Sequence, residues 1–434
     1  MTGTATSPRR IEPIGHPLDA TIRVPGSKSI TNRALVTAAL AEGTSTLEGV
    51  LFADDTEAML DSLGRLGVAL EIDRAAATVR VVGTGGVVPA GPIDLDARMS
   101  GTTARFLAPL LAAGPGPYRL DGAEQMRARP MRDGFDALER LGADIVTESQ
   151  PGHLPATITA GPPASSNEVR LRADASSQFV SGLLLSAPLR PRGLVVRLDG
   201  EVVSRPYLDL TVAVMDAFGV AVTQPDDRTY VVPAGRYRAA RYVVEPDASA
   251  ASYFFAAPVV AGGRVRVVGL GRGAVQGDVR FVDELERMGA LVERGSDHIE
   301  VRAGAALRGI TADLTDFSDT AQTLATTAVF ADSPTRVTGI GFIRRKETDR
   351  VAAVVTELRR CGIDATEDDD GFTIRPGTPT ATTVRTYDDH RMAMSFALLG
   401  LRVPGIEIDD PGCVVKTFPT FWDVFDSLRT GGNA

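Results

Sequence analysis

The stretch D-T-E-A-M-L-D-S-L-G-R-L-G, residues 55–67, contains the pattern that decides the fold of this chain. Its apolar residues recur at three- and four-residue steps, which predicts an amphipathic helix, and its last glycine stands where a left-handed C-cap would end that helix. Related segments end at five further glycines: Gly142, Gly219, Gly289, Gly362 and Gly431. The segment that ends at Gly431 is a degenerate copy of the pattern. The spacing of about 70 residues exceeds the ~20–50 residues of solenoid repeats, so we expect six larger, equal repeats.

Each repeat also holds a second segment that is apolar on nearly every side, which predicts a buried helix. These segments are residues 29–41, 101–113, 176–189, 249–261, 319–331 and 389–401. Short alternating strands, such as R-V-R-V-V-G at residues 264–269, lie between the helices. The sequence therefore predicts an α/β protein with two inside-out α/β domains, each of three βαβαββ-type repeats with buried parallel helices.

Length, charge and composition restrict the class of protein. A chain of 434 residues is longer than one hydrophobic core usually serves, which favours two domains. A net charge of −9 argues against nucleic acid or acidic membranes as partners. No apolar run reaches the ~18 residues of a membrane helix, and residues 1–10 lack the apolar middle of a signal peptide, so we expect a cytoplasmic protein. Two cysteines and four scattered histidines form no metal-ligand spacing, so we expect neither a metal nor a disulfide.

Polar and charged residues cluster where the predicted buried helices begin. In the first three repeats these starts are Ser27-Lys28-Ser29, Gly101-Thr102-Thr103 and Ser176-Ser177-Gln178, and in the last three they include Asp247, Asp319 and Asp389. Small neutral or cationic residues at a helix start suit an anion bound by backbone N–H groups. Serine and aspartate are also ordinary N-caps, so capping is the alternative at each start. If the three helices of a domain run parallel, their starts share one face, and we expect the two domains to close on a shared cleft.

Lysine is unusually rare in this chain. Of 46 basic residues only Lys28, Lys346 and Lys416 are lysines, which suggests positions that need a compact ammonium, although codon bias is an alternative. The tetrapeptide G-S-K-S at residues 26–29 superficially resembles a phosphate-binding loop. A nucleotide-dependent kinase is disfavoured because no glycine stands five residues before Gly26 and a serine separates Gly26 from the lysine.

Nine motifs run in order between residues 25 and 419: P-G-S-K-S-I-T-N-R, S-G-T-T-A-R, R-A-R-P, S-S-Q-F, V-S-R-P-Y, D-A-S-A-A-S-Y-F, R-R-K-E-T-D-R, Y-D-D-H-R-M-A-M and V-V-K-T-F-P. On these motifs the chain resembles the 5-enolpyruvylshikimate-3-phosphate synthase family over nearly its whole length. The two inside-out domains of that family agree with the repeats. The resemblance implies two crossings between domains, which gives an N-terminal lobe of residues 24–243 and a C-terminal lobe of residues 1–23 and 244–434.

The resemblance implies an enzyme that transfers the enolpyruvyl group of phosphoenolpyruvate to the 5-hydroxyl of shikimate 3-phosphate in aromatic amino acid biosynthesis. It implies no cofactor and the two substrates as partners, and we expect a monomer. The alternative is the sister family that acts on UDP-N-acetylglucosamine, which usually carries a cysteine in the loop before its Arg-Pro; residues 122–126 contain none. A non-catalytic sugar-phosphate-binding protein is a further alternative, which would not need carboxylates among so many cations.

The resemblance also assigns roles to single residues. Those matched to substrate contacts are Lys28, Ser29, Arg33, Gly101, Arg129, Ser176, Ser177, Gln178, Ser204, Asp319, Lys346, Arg350, Arg391 and Lys416. Lys28, Asp319 and Glu347 are the implied catalytic residues, with Asp319 as the base at the 5-hydroxyl and Glu347 as the proton donor to carbon. The plainer alternatives are an N-cap for Asp319 and a helical i,i+3 ion pair between Glu347 and Arg350. Arg105 and Arg205 are interpreted as structural.

Overall fold

The chain divides into two units in the computed structural model, which describes residues 7–162, 164–172, 176–200 and 202–431. The central unit is Gly26–Val244, and the terminal unit combines Met1–Pro25 with Glu245–Ala434. Residues 1–10 are the segment that lacks the apolar middle of a signal peptide, and the first six of them lie outside the described ranges. The terminal unit contributes the first two strands, β1 (Arg9–Arg10) and β2 (Leu18–Ile22).

Three repeats of strands and helices make up the central unit. Its strands are β3 (Thr44–Glu48), β4 (Ala69–Asp73), β5 (Thr78–Val82), β6 (Ile93–Asp96), β7 (Tyr118–Asp121), β8 (Ala143–Thr147), β9 (Ala156–Ala160), β10 (Glu168–Arg172), β11 (Leu194–Asp199), β12 (Thr223–Asp226), β13 (Thr229–Val232) and β14 (Arg241–Val243). Its helices are α1 (Lys28–Leu40), α2 (Asp54–Arg65), α3 (Gly101–Leu111), α4 (Glu124–Arg127), α5 (Arg132–Arg140), α6 (Ser177–Ser186) with a 3-10 turn at Ala187–Leu189, and α7 (Arg205–Ala217).

The terminal unit continues from Glu245 with the same alternation. Its further strands are β15 (Gly263–Val268), β16 (Leu291–Arg294), β17 (His298–Arg302), β18 (Thr311–Asp313), β19 (Thr335–Thr338), β20 (Ala365–Glu367), β21 (Phe372–Ile374), β22 (Thr382–Val384) and β23 (Ile406–Ile408). Its helices are α8 (Ala248–Ala261), α9 (Phe281–Arg287), α10 (Ala321–Ala328), α11 (Arg350–Arg360), α12 (His390–Gly400) and α13 (Phe421–Ser427), and 3-10 turns cover Gly277–Arg280, Ser318–Thr320, Gly341–Arg345 and Pro411–Lys416.

Five of the described sheets share one topology, in which a parallel pair at one edge is followed by two antiparallel pairs. Their strand orders are β14-β3-β5-β4, β6-β7-β9-β8, β10-β11-β13-β12, β2-β15-β17-β16 and β18-β19-β21-β20. In the sixth, β22 pairs parallel with β23 and β1 pairs antiparallel on the other side of β23. A strand from the beginning of the chain thus completes the degenerate last repeat. The α/β repeat fold predicted from the sequence is confirmed.

The predicted apolar helices lie in the interior of their units. In the central unit α1, α3 and α6 pack against one another, and in the terminal unit α8, α10 and α12 do so. Every residue of α3 from Gly101 to Leu111 is buried, as the all-round apolar pattern requires. None of the helices in the described part of the chain combines the length and the apolar character that a membrane span requires.

Candidate active site

Lys28 is the first residue of α1, and Ser27 caps that helix by accepting a hydrogen bond from Ile30 N at 3.4 Å. The Lys28 Nζ lies 3.3 Å from Oδ2 of Asp55, a residue of α2. The lysine side chain remains 14% exposed whereas that of Asp55 is only 3% exposed. The ammonium is therefore the accessible partner of a buried carboxylate, at a helix start that favours anions. Ser29 follows it and is partly buried.

Arg33 lies one turn further along α1, and it is enclosed by neutral hydrogen-bond acceptors. Its Nε donates to Thr211 Oγ1 at 2.8 Å and its Nη1 to the Ser29 carbonyl at 2.8 Å. Its Nη2 donates to Ser181 Oγ at 3.1 Å and to the Tyr207 carbonyl at 3.0 Å. Burial lowers the pKa of Arg33 to about 10. These hydrogen bonds join α1 to α6 and α7, and contact of Arg33 with a substrate stays a prediction.

Gly101 begins α3 directly against the guanidinium of Arg129. A Cβ added to Gly101 would lie 2.8–2.9 Å from the Nη1, Cζ and Nη2 atoms of Arg129, which is closer than side-chain carbons approach such atoms. Arg129 is itself buried, with 8% exposure. The missing side chain of Gly101 is therefore the reason that this arginine can lie against the helix start.

Gln178 connects the start of α6 to the start of α3. Its Nε2 donates to Thr102 Oγ1 at 3.1 Å, and its Oε1 accepts from Arg105 Nη1 at 2.7 Å. Arg105 also donates to the Pro130 carbonyl at 3.2 Å, so it holds Gln178 in place. Ser176 caps α6 by accepting from Gln178 N at 3.4 Å, and Ser177 is the first residue of the helix.

Ser204 precedes α7 with an unusual backbone. Its φ of +56° lies in the left-handed region, which few non-glycine residues occupy, and its side chain is 5% exposed. The side chain makes no capping hydrogen bond to α7. The next residue, Arg205, contacts the Asp227 carbonyl at 3.2 Å. The surrounding structure thus holds Ser204 in a conformation that its own sequence does not favour.

Arg350 is the most enclosed cation of the terminal unit's site, with 1% exposure. Its Nε donates to Asp389 Oδ2 at 2.7 Å, its Nη1 to Asp319 Oδ1 at 3.0 Å and its Nη2 to Glu347 Oε2 at 2.8 Å. Burial opposes the charge of this guanidinium, but the three carboxylates outweigh burial and raise the pKa of Arg350 above its ordinary value. Arg350 is therefore a permanent cation that orients three acids.

The Asp319 carboxylate contacts three cations, which come from two segments of the chain. Besides Arg350, Arg391 Nη2 donates to Oδ2 at 2.8 Å, and Lys346 Nζ lies 3.5 Å from Oδ1. Burial lowers the pKa of Lys346, although Asp319 opposes this change. Thr320, and not Asp319, occupies the N-cap position of α10. The Asp319 carboxylate therefore binds the cations and does not cap the helix.

Glu347 lies between two cations. The i,i+3 pair with Arg350 is present, and the Lys416 Nζ lies 3.6 Å from the other carboxylate oxygen, Oε1. Lys416 comes from the 3-10 turn Pro411–Lys416 and is 6% exposed. The helical pair is thus one part of a larger cluster. Each of the three lysines of the sequence has its Nζ 3.3–3.6 Å from a carboxylate oxygen.

Sequence reasoning missed Asp278, in the 3-10 turn Gly277–Arg280. This carboxyl group is buried and accepts a hydrogen bond from Ser249 Oγ at 2.8 Å. Burial, and then the negative charge of Asp319, raise the pKa of Asp278 to about 6. No local pattern marks a loop aspartate as buried, so the sequence offered no signal for it.

The described part of the chain contains neither an activated thiol nor a cluster of metal-ligating side chains. Cys361 is buried, and burial raises its pKa to about 11; burial also raises the pKa of Cys413. Both sulfurs therefore stay protonated near neutral pH. Among the described residues, no group of three or more histidine, cysteine, aspartate or glutamate side chains is arranged to hold a metal ion.

Comparison with known proteins gives one consistent answer. Residues 13–425 match the family model described as EPSP synthase (3-phosphoshikimate 1-carboxyvinyltransferase). The chain is 46% identical over 416 residues to the 3-phosphoshikimate 1-carboxyvinyltransferase of Nostoc punctiforme, covering 96% of this chain and 97% of that protein. It is 45% identical to the protein of the same name from Burkholderia vietnamiensis, covering 94% and 96%. The solved structure of EPSP synthase from Acinetobacter baumannii matches with a TM-score of 0.82, 27% identity and 98% coverage of each chain.

Proposed function

Because the chain belongs to the EPSP synthase family, we propose that the polar residues at its buried helix starts carry the transfer reaction of that family. The protein is a transferase that moves the enolpyruvyl group of phosphoenolpyruvate to the 5-hydroxyl of shikimate 3-phosphate and releases phosphate, in the shikimate pathway. The comparisons do not favour transfer to UDP-N-acetylglucosamine.

The observation that carries the residue assignment is the set of contacts around Asp319. This carboxylate is held by Lys346, Arg350 and Arg391, which together favour its ionised form. An ionised carboxylate with a fixed orientation is suited to take the proton of a hydroxyl group as that oxygen attacks carbon. We therefore assign Asp319 as the base at the 5-hydroxyl of shikimate 3-phosphate.

Glu347 is proposed to deliver the proton that the methylene carbon of phosphoenolpyruvate receives. Before phosphoenolpyruvate binds, the positive charges of Arg350 and Lys416 favour the ionised form of Glu347. When the phosphate and carboxylate of phosphoenolpyruvate bind to the same cations, that preference weakens, and Glu347 can take up a proton. Binding of the anionic substrate would thus favour the protonated form of Glu347, which is the form that can donate a proton.

The phosphate and carboxylate groups of the two substrates must also be bound by hydrogen-bond donors that do not transfer protons. We propose that phosphoenolpyruvate is bound by Lys28, Gly101, Arg129, Lys346, Arg350, Arg391 and Lys416. We propose that shikimate 3-phosphate is bound by Ser29, Arg33, Ser176, Ser177 and Ser204, with Gln178 serving both ligands. Hydroxyl groups and helix starts in the central unit support this division, because they bind a phosphate without a fixed counter-charge.

The direct test is phosphate release by the purified protein. We expect release only when shikimate 3-phosphate and phosphoenolpyruvate are both present, with formation of the enolpyruvyl product. A sugar-phosphate-binding protein would bind the first compound and release no phosphate. Release with UDP-N-acetylglucosamine in place of shikimate 3-phosphate would overturn the assignment of the acceptor.

We further propose that the protein is active as a monomer. Light scattering coupled to size-exclusion chromatography measures the mass of the active species directly. A dimer that loses activity on dilution would contradict this part of the proposal.

A further inference from the structure

A strained loop leads into α12 in the terminal unit. Tyr387 has a φ of +55° and Asp388 a φ of +58°, so two successive non-glycine residues occupy the left-handed region. Few non-glycine residues adopt this conformation, and they persist only where other contacts hold them. The next residue is Asp389, the acid that binds Arg350.

Glu357, on α11, provides contacts that hold this loop. Its side chain is fully buried, its Oε2 accepts a hydrogen bond from Arg385 N at 2.9 Å, and its Oε1 accepts from Tyr387 Oη at 2.7 Å. Arg360 pairs with the same carboxylate. Burial of the ring and the bond to Glu357 raise the pKa of Tyr387 to about 12, so its hydroxyl remains a donor near neutral pH.

The loop is therefore attached to α11 at two places. Glu357 holds its beginning, and Arg350, seven residues earlier on the same helix, holds its end through Asp389 at 2.7 and 3.3 Å. Seven residues are two turns of helix, or about 10 Å. Asp389 also caps α12 by accepting from Arg391 N at 2.9 Å. The position of Asp389 thus affects both arginines that bind Asp319.

We propose that Glu357 is a positioning residue for the transfer reaction. By holding Arg385 and Tyr387 it fixes the strained loop, and through Asp389 it sets the guanidinium groups of Arg350 and Arg391. The inference rests on the proposed assignment of these two arginines to phosphoenolpyruvate. The Glu357 carboxylate contacts Arg360 of its own helix and the loop residues Arg385 and Tyr387, so its effect on the reaction is exerted through the position of the loop.

The test is Glu357→Gln, which keeps the size of the side chain and removes its charge. We expect the KM for phosphoenolpyruvate to rise about tenfold, because small displacements of substrate-binding groups have effects of that order, whereas the KM for shikimate 3-phosphate changes by less than about twofold. Tyr387→Phe removes one of the two hydrogen bonds that Glu357 accepts from the loop. Because Tyr387 is 38% exposed, this variant should fold normally and raise the same KM by about threefold.

Glu300→Gln is the matched control. Glu300 is equally buried in the same unit and pairs with Arg264 and Arg266, but it lies on β17 in the sheet. We expect this variant to lower the melting temperature as much as Glu357→Gln while leaving both KM values unchanged. An equal rise in KM with Glu300→Gln, or a wild-type KM with Glu357→Gln, would overturn the proposal.

Tyr387→Phe and one additional variant, Arg350→Lys, keep the outcome unambiguous. If Glu357→Gln does not fold, Tyr387→Phe decides, and an unchanged KM for phosphoenolpyruvate in that variant rejects the positioning role. Arg350→Lys separates this inference from the assignment on which it rests. If Arg350→Lys raises the KM for phosphoenolpyruvate and Glu357→Gln does not, positioning fails and the assignment stands; if neither does, the assignment of the arginine itself is wrong.

Discussion

The two units present their buried helices differently to a ligand. In the central unit the helix starts carry serine, threonine and glycine together with Lys28, which pairs with Asp55, and Arg33 donates to neutral oxygens throughout. In the terminal unit Arg350 alone contacts three carboxylates, those of Asp319, Glu347 and Asp389. One unit therefore offers positive charge and hydroxyl groups, whereas the other offers acids whose charges are already compensated.

On the proposed assignments, this difference divides the binding of shikimate 3-phosphate in the central unit from proton transfer in the terminal unit. A cation whose contacts are neutral gains most from an anionic ligand, so the central unit is suited to hold a phosphate or a carboxylate. A carboxylate fixed by several cations can exchange a proton in a defined direction, so the terminal unit is suited to acid-base chemistry. Variants in the central unit should therefore affect binding, and variants of the terminal acids should affect kcat.

The largest expected effect is that of Lys28→Met, which would break this division, because we propose a catalytic role for this cation of the central unit. We expect turnover to fall at least about a thousandfold, since a point charge is lost from an anion site. Steady-state phosphate release measures the loss. The double variant Lys28→Met with Asp55→Asn removes the carboxylate that lies 3.3 Å from the ammonium. If the double variant regains turnover, Lys28 served only as the partner of Asp55.

Asp319→Asn tests whether an acid of the terminal unit acts in proton transfer. The amide oxygen can still accept from Arg350 or Arg391, but it cannot take a proton. We expect kcat to fall by about 10²–10⁴ while the KM for shikimate 3-phosphate changes little. Single-turnover measurements separate chemistry from binding. A raised KM with an unchanged kcat would mean that Asp319 binds substrate and is not the base.

Gly101→Ala tests whether the central unit acts through binding. The new Cβ would meet the Arg129 guanidinium at 2.8–2.9 Å, so the flexible arginine must move away. We expect the KM for phosphoenolpyruvate to rise about tenfold, with a smaller change in kcat. Gly235→Ala is the control in the same unit, since a Cβ there meets no atom within 4 Å. Equal kinetic constants for the two variants would mean that Arg129 does not bind phosphoenolpyruvate.

The smallest effect is expected for Asp278→Asn, measured as stability. The pKa of Asp278 rises from 3.8 to about 6 on folding, so between these values the folded state binds the proton more tightly. Stability from this group is present at low pH and lost as the pH rises through about 6. The variant cannot ionise, and we expect it to raise the free energy of unfolding by about 1–2 kcal/mol at pH 7.5.

Urea denaturation at pH 7.5 and at pH 4 measures this difference. The gain should shrink towards zero at the lower pH, where Asp278 is protonated in the folded state. Exposed Asp144 provides the control, because Asp144→Asn should leave stability unchanged at both values. A gain that is the same at pH 4 and pH 7.5 would show that ionisation of Asp278 is not its cause.

The sequence by itself determined the repeats and the family. Apolar spacing and C-cap glycines are local features, and α3 and α12 lie in the interior as their all-round apolar pattern predicted. The reaction could be predicted from the ordered motifs because each motif is also a local feature, a short contiguous segment of the chain. Thr320 in place of Asp319 at the N-cap of α10 shows the limit, because residue type alone could not separate capping from binding.

Only the tertiary structure decided which side chains meet. Arg33 is enclosed by Ser181 and Thr211, which lie more than a hundred residues away in the sequence, and Asp278 is buried beside a helix from another part of its repeat. Glu357 fixes a loop that begins 28 residues later. Burial, pKa and strain depend on such distant contacts, so no window of the sequence contains them.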